Sequence, residues 1–274
     1  MMTPANQATP VVLSLNAVDP SGISGLHNDI ETCASLGAHC LGVATAILAR
    51  DTTEIKEVAS TDPGLVIEQT RALLEDVPVN IVKSSMLTSV ENIEVLHSIL
   101  EDYPNLPLVL EPTLVHSRAD NHADLAAMAE ASSNLLLPRA HLAIMAHSSV
   151  FDYSKAADNL DASAAEILET GCEHLLLMGL EKGASTTYCK LYSQRGAMRS
   201  YSNEGHLGAP LSNAAAVLSA CISAYLAHGV QLQECVTLAH KFTIRSLSQA
   251  RRIGMGQPVP DRMHWARENN SAKH

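Results

Sequence analysis

Aromatic side chains are scarce in this chain, with one Trp, six Tyr and two Phe among 274 residues. That scarcity removes the stacking platforms on which single-stranded nucleic acid is held. Positive charge is short as well: 18 Lys and Arg stand against 29 Asp and Glu, a formal net charge of −11. Such a balance repels polyanions unless cations are gathered locally, so neither nucleic acid nor an anionic membrane is expected as a partner. The one basic cluster, Lys241, Arg245, Arg251 and Arg252, reads as the solvated end of a helix. No apolar run approaches the length of about 18 residues that a spanning helix needs. The opening MMTPANQATP has neither a basic n-region nor an apolar h-region, which leads to the expectation of a soluble cytoplasmic protein. Cys33, Cys40, Cys172, Cys189, Cys221 and Cys235 show no C-x-x-C spacing, and a chain of this length needs no disulfide staples; buried free thiols are expected. No histidine pair sits at zinc-site spacing, so no metal is expected on that ground.

What is present is Leu, Val, Ile and Ala, which dominate the 46% apolar content and suffice for a large core. Apolar runs of strand length alternate with segments of helical period, the signature of a parallel sheet covered by helices. The reading runs strand Val11–Val18, helix Gly25–Leu36, strand Leu41–Leu48, and a helix opened by Asp62-Pro63, a cap followed by proline at the first helical position. Strand Val79–Val82, helix Val90–Leu100, strand Leu106–Leu110, helix Ala123–Leu135, strand Leu142–Met145 and helix Ala162–Glu169 follow, with Gly171 as a C′ glycine. After strand His174–Met178, two alternating runs around Gln194-Arg195-Gly196 predict an antiparallel hairpin at one sheet edge. Helices Leu211–His228 and Leu232–Ala250, separated by Gly229, close a single α/β domain over residues 1–265 with about eight or more strands. The polar residues 266–274 read as a disordered tail.

In open α/β sheets ligands bind beyond the C-terminal strand ends, and motif residues stand there in this sequence. After the first strand comes Asp19-Pro20-Ser21-Gly22, whose glycine lets backbone approach a ligand. The longer string VDPSGISGLHNDIETCASLGAH closely resembles the opening of the hydroxymethylpyrimidine and phosphomethylpyrimidine kinases of thiamin synthesis, which belong to the ribokinase-like superfamily and are related to pyridoxal kinases. SSMLTS at Ser84–Ser89 resembles that family's G-M-L segment, LEPTLV at Leu110–Val115 its D-P-V-M, and RRIGMGQPVPDRMHW its closing segment. The resemblance spans Val11 to Trp265 and identifies the chain as a divergent member. It implies a three-layer α/β/α fold, ATP and Mg2+ as cofactors, a homodimer, and phosphorylation of a hydroxymethyl group on a small aromatic heterocycle. It also implies a substrate pocket of Asp19, Gly22, Asp29, Arg50, Met86, Val115 and His116, and a nucleotide region at Glu111, His147 and Met178.

The segment GHLGAPLS falls where the family carries the anion hole and general base. Aligned on Leu211-Ser212, Gly208 takes the second glycine and Ala209 the base, whose loss costs about 10²–10⁴ in rate. Backbone N–H groups at His206, Leu207, Gly208, Ala209 and Ser212 ahead of a helix still suit a phosphate. The family's N-x-x-E aligns with His147-Ser148-Ser149-Val150, its K-G-G with Met178-Gly179-Leu180, and its A-Q-N-T with Ala49-Arg50-Asp51-Thr52. Glutamine donates and accepts, whereas guanidinium only donates, so Arg50 favours an acceptor-rich ligand such as pyridoxal 5′-phosphate over an aminopyrimidine; the alternative is a surface pairing of Arg50 with Asp51 or Glu54. Lys83, His116 and His147 are further candidates for the pocket mouth. Two readings follow: a protein that binds a pyrimidine or pyridoxal phosphate with kinase activity weak or lost, or an active kinase using a non-standard base.

Overall fold

The computed structural model describes residues 9–115, 122–156, 159–180, 186–204 and 214–266. In chain order these form β1 (Val11–Val18), α1 (Gly25–Ser35), β2 (His39–Arg50), β3 (Ile55–Ser60), α2 (Pro63–Asp76), β4 (Ile81–Ser84), α3 (Val90–Asp102) and β5 (Leu108–Leu110). There follow α4 (His122–Ala131), β6 (Ala140–Ala146), α5 (Leu160–Glu169), β7 (His174–Leu180), β8 (Thr186–Ser193), β9 (Gly196–Glu204), α6 (Ala214–Ala227) and α7 (Leu232–Ser248). The expected tail beyond Ala266 and the expected start of the penultimate helix at residues 211–213 lie outside the described residues.

One nine-stranded sheet runs in the order β3-β2-β1-β4-β5-β6-β7-β8-β9. The pairs from β2 through β7 are parallel, and β7-β8 and β8-β9 form the expected antiparallel edge. The other edge is a correction to the sequence reading, because β3 returns antiparallel beside β2. Asp51 makes that hairpin, its Oδ1 accepting from the N–H of Thr53 (2.7 Å) and Glu54 (3.1 Å). Only Ile55 and Val58 of β3 face inward, so the strand carries too little apolar signal to be read.

Period-two alternation divides the central strands between two cores. Leu13, Leu15, Val82 and Leu108 pack on one face under α2, α3, α4 and α5; Val12, Ile81, Val109 and Ile144 pack on the other under α1, α6 and α7. The segment AAAVLSACISAYLA of α6 is buried along nearly its whole length, because small side chains let it lie close to the sheet between α1 and α7. Asp62 caps α2 by accepting from Leu65 N–H at 3.0 Å, and the predicted helix over Ala123–Leu135 divides into α4, a π turn and a 3₁₀ turn ahead of β6. Five of the six cysteines are buried, Cys40 is half-buried, and all are free thiols.

The C-terminal segment closes back on α1. Arg262 is 2% exposed and donates to Asn28 Oδ1 (2.8 Å), Glu31 Oε2 (2.9 Å) and the Ile23 carbonyl (2.8 Å). Trp265 Nε1 adds a bond to Ser35 Oγ at 2.7 Å.

Candidate functional site

Because β1, β2, β4, β5, β6 and β7 are parallel, their C-terminal ends gather along one rim, and the loops that follow them carry the motif residues. A β-bulge sets the first part of this rim. The β1–β2 register shifts between Asn16 and Ala17, which opposes Ala17 to Ala46 and turns Ala46 and Leu48 inward. These join Ala17, Met86 and Val115 in a small apolar cluster, with Ile55 and Val58 of β3 against it. Met86 is fixed there by Thr45 Oγ1, which donates to its carbonyl at 2.8 Å.

Arg50 follows Leu48 by two residues on β2 and so continues the inward face. Its Nη1 donates to Asp19 Oδ2 at 3.1 Å, with side-chain exposures of 10% and 0%. Arg50 thus pairs with Asp19, while the Asp51 carboxylate pairs with Lys56; Nε of Arg50 reaches the Asp51 carbonyl at 3.3 Å, and Nη2 makes no hydrogen bond among the described residues. Asp19 is otherwise occupied inside its own loop. It accepts from Ser21 N–H (2.9 Å), Ser21 Oγ (2.6 Å), Ser24 N–H (3.0 Å) and Ser24 Oγ (2.8 Å). The loop needs Gly22 and Gly25, both with φ of +69°, and a Cβ on Gly25 would meet the Ala17 carbonyl oxygen. Asp19 thus shapes the loop and holds Arg50.

Further along the rim, a cleft of about 590 Å³ opens over the ends of β5, β6 and β7, with Ala215 at the start of α6 as part of its wall. Three residues expected in a nucleotide region, Glu111, His147 and Met178, all line it. His147 Nδ1 lies 3.0 Å from Tyr188 Oη, and the absence of a side chain at Gly179 permits this, since a Cβ there would stand 2.7 Å from the same oxygen.

Asp29 does not open onto either region. It is fully buried beneath the sheet rim, where its Oδ2 accepts from Ser14 Oγ (2.7 Å), Asn16 Nδ2 (2.8 Å) and Lys83 Nζ (3.0 Å). Its Oδ1 accepts from Asn28 Nδ2 at 2.8 Å. Lys83, a candidate for the pocket mouth on sequence grounds, is instead wholly interior. The register explains this, because Ser14 of β1 pairs with Lys83 of β4 and both side chains face α1. Lys83 also stands 3.7 Å from Glu111 Oε2, which accepts from Ser219 Oγ of α6 at 2.6 Å. Lys83 therefore links the interior carboxylate of Asp29 to the carboxylate in the cleft wall. Burial pulls the Lys83 ammonium down, but Asp29 and Glu111 outweigh it and hold it above its ordinary value. Burial likewise raises the Glu111 carboxyl, and Lys83 and Ser219 oppose that rise only in part.

Sequence reasoning missed Lys83, Asn28, Ser219 and Arg262 as one connected polar interior. Polar Ser14 and Asn16, two residues apart on one face of an otherwise apolar strand, were the available signal. His116 and the phosphate-loop residues His206, Leu207, Gly208, Ala209 and Ser212 lie outside the described residues.

Residues 19–260 match the family described as phosphomethylpyrimidine kinase. A probable thiamine biosynthetic bifunctional enzyme, chloroplastic, of Oryza sativa subsp. japonica is 26% identical over 268 residues, covering 90% of this chain and 46% of the relative. The chain therefore spans about half the length of that plant protein, and 49% of the Arabidopsis thaliana counterpart. A hydroxymethylpyrimidine/phosphomethylpyrimidine kinase of Staphylococcus aureus is 24% identical over 257 residues, with 90% of this chain and 91% of the relative covered. Among solved structures, pyridoxal kinase from Staphylococcus aureus in complex with pyridoxal superposes with a TM-score of 0.83 at 21% identity, over 95% of this chain and 96% of that one. Phosphomethylpyrimidine kinase from Clostridium difficile gives 0.70 at 23% identity, over 85% and 98%. At these identities the structural likeness establishes the fold, the three-layer ribokinase-like arrangement expected from the sequence.

Proposed function

The chain belongs to the phosphomethylpyrimidine kinase family, and from that premise we propose that it binds a small phosphorylated aromatic heterocycle, a pyrimidine or pyridoxal phosphate, with phosphoryl transfer weak or lost. The observation that carries this reading is the composition of the cleft wall. Its described lining holds two titratable side chains, Glu111 and His147, and no Lys or Arg. Phosphoryl transfer relies on cations and metal to neutralise the charge of the transferring group. Lys83, the cation beneath the cleft, is engaged by Asp29.

Magnesium-ATP fits this donor set poorly. Mg2+ is held by one or two carboxylates together with substrate phosphates. Glu111 is the one carboxylate of the described lining, and its Oε2 already accepts from Ser219. Where the family resemblance puts a second carboxylate stands Val150, which is fully buried. No catalytic step is therefore assigned to the nucleotide.

The heterocycle side supports binding. Met86 and Val115 supply an apolar floor beside Arg50, whose Nη2 donates to acceptors on a ligand such as a phenolate or phosphate oxygen. The proposal carries the homodimer that the resemblance implies.

A second reading, an active kinase, rests on Glu111. Its carboxyl is raised by burial and its Oε1 makes no hydrogen bond among the described residues, which suits a general base.

One experiment separates the two. Folded protein is incubated with magnesium-ATP and, separately, hydroxymethylpyrimidine, its monophosphate and pyridoxal, and products are read by mass spectrometry alongside calorimetric titration of pyridoxal 5′-phosphate. Binding without product is the expected result. Turnover well above the no-enzyme control that disappears in Glu111→Gln would replace the first reading with the second.

A further inference from the structure

At the end of the sheet opposite the cleft, the first residues of β6 and β7 bring three ligating side chains together. The two strands are adjacent and parallel with Ala143 opposite Leu175, and two residues earlier the same register sets His141 opposite Glu173. The Glu173 N–H donates to the Ala140 carbonyl at 3.1 Å and holds this alignment. As a result a ring nitrogen of His141, a carboxylate oxygen of Glu173 and a ring nitrogen of His174 all lie within 4.8 Å of one another. His141 Nδ1 is 2.7 Å from Glu173 Oε2, and the two imidazole rings meet edge to face at 5.5 Å.

The tautomer of His174 follows from its other contact. Its Nδ1 lies 3.2 Å from the His141 carbonyl oxygen, which can only accept, so the proton is on Nδ1 and the Nε2 lone pair is free to coordinate. A backbone carbonyl behind one ring nitrogen is the usual support of a metal-bound imidazole. Two imidazoles and one carboxylate, with an open side, form a donor set suited to zinc and its borderline neighbours. Tetrahedral bonds of about 2.0–2.2 Å separate donors by roughly 3.3–3.6 Å. The side chain of Glu173 is 63% exposed and has room to swing through that difference.

We propose that His141, Glu173 and His174 form a site for a divalent transition cation of the zinc class, completed by water. It is separate from the cleft, since the six-residue step along β6 from His141 to His147 is about 20 Å at strand rise. The ion would clasp two central strands where their ladder begins. Sequence spacing gave no sign of it, because the histidines are 33 residues apart and only strand pairing unites them.

The test uses the full chain, freed of metal with a chelator and titrated with ZnCl2 by calorimetry, with Co2+ absorption reporting coordination number. The expected result is one equivalent bound by wild type and by the control His39→Ala, with affinity at least about 10–100-fold lower in His141→Ala, His174→Ala and Glu173→Gln. Zn2+ should also raise the melting temperature of wild type and of His39→Ala but not of the three site variants, each confirmed folded by circular dichroism. Absence of binding by folded wild type overturns the site. So does binding that is unchanged in the His141→Ala/His174→Ala double variant, which would mark adventitious attachment to other histidines.

Discussion

Replacing Lys83 by methionine removes one charge from a place with no access to water. The side chains of Lys83 and Asp29 are both 0% exposed, and their charged atoms are 3.0 Å apart. Methionine fills a similar length, so the change acts on charge more than on volume. Three neutral donors remain on Asp29, from Ser14 (2.7 Å), Asn16 (2.8 Å) and Asn28 (2.8 Å), and they hold the carboxylate without neutralising it. Breaking a buried ion pair from one side costs about 3–5 kcal/mol. The surviving bonds place Lys83→Met at the low end, about 3 kcal/mol, which for a chain of this size lowers the melting temperature by roughly 6–12 °C. Urea denaturation followed by circular dichroism, with scanning calorimetry for the melting temperature, measures the loss. The companion Lys83→Met/Asp29→Asn removes both charges and should recover a large part of it. A single variant within about 1 kcal/mol of wild type, or a double variant no more stable than the single, would refute the account of Lys83 as the neutralising partner of Asp29.

Two further expectations concern Arg50 and His240. Arg50→Gln should weaken pyridoxal 5′-phosphate binding by about 1.5–3 kcal/mol, roughly ten- to hundredfold, the range for hydrogen bonds to charged groups; unchanged affinity in calorimetry removes Arg50 from the ligand site. His240 is 8% exposed, its Nε2 has no partner among the described residues, and burial pulls its pKa below the ordinary value. The folded chain thus binds that proton less readily than the unfolded one, so the contribution to stability is full above about pH 6.5 and is lost as the pH falls through the lowered value. Urea midpoints should therefore drop more steeply between pH 7 and pH 5 in wild type than in His240→Leu, and parallel curves contradict the assignment.

The central strands and their helices were legible because β1 and β4 to β7 are buried on both faces and leave continuous apolar runs, while Asp62-Pro63, Gly171 and Gly229 mark helix ends by their own chemistry. β3 was not, since four of its six residues face solvent and its register depends on a turn built by one aspartate. At the site, Met86 with Val115, and Glu111 with His147 and Met178, fell together because each stands at or just beyond the C-terminal end of a parallel strand. Lys83 escaped because exposure cannot be read from charge. A lysine in an apolar strand is admitted to the interior only by partners that lie 54 and 28 residues away, Asp29 and Glu111, and no local pattern announces them. Arg50 and Asp19 show the same limit, since each reads alone as a ligand contact and only the fold reveals that Asp19 holds Nη1 of Arg50.

The clasp between Arg262 and the first helix has a consequence for the order of events during folding. Asn28 and Ile23 precede their donor by 234 and 239 residues. A chain that lacks residue 262 therefore lacks the native donor to the Asn28 amide oxygen and to the Ile23 carbonyl. Contacts of such long sequence separation are entropically late. A chain stopped before residue 262 would carry all nine strands described here and still lack the side chain that ties the Ile23 carbonyl to α1. The Asp19 turn is held by its own serines, yet the Ile23 carbonyl only four residues further on takes its donor from the opposite end of the chain.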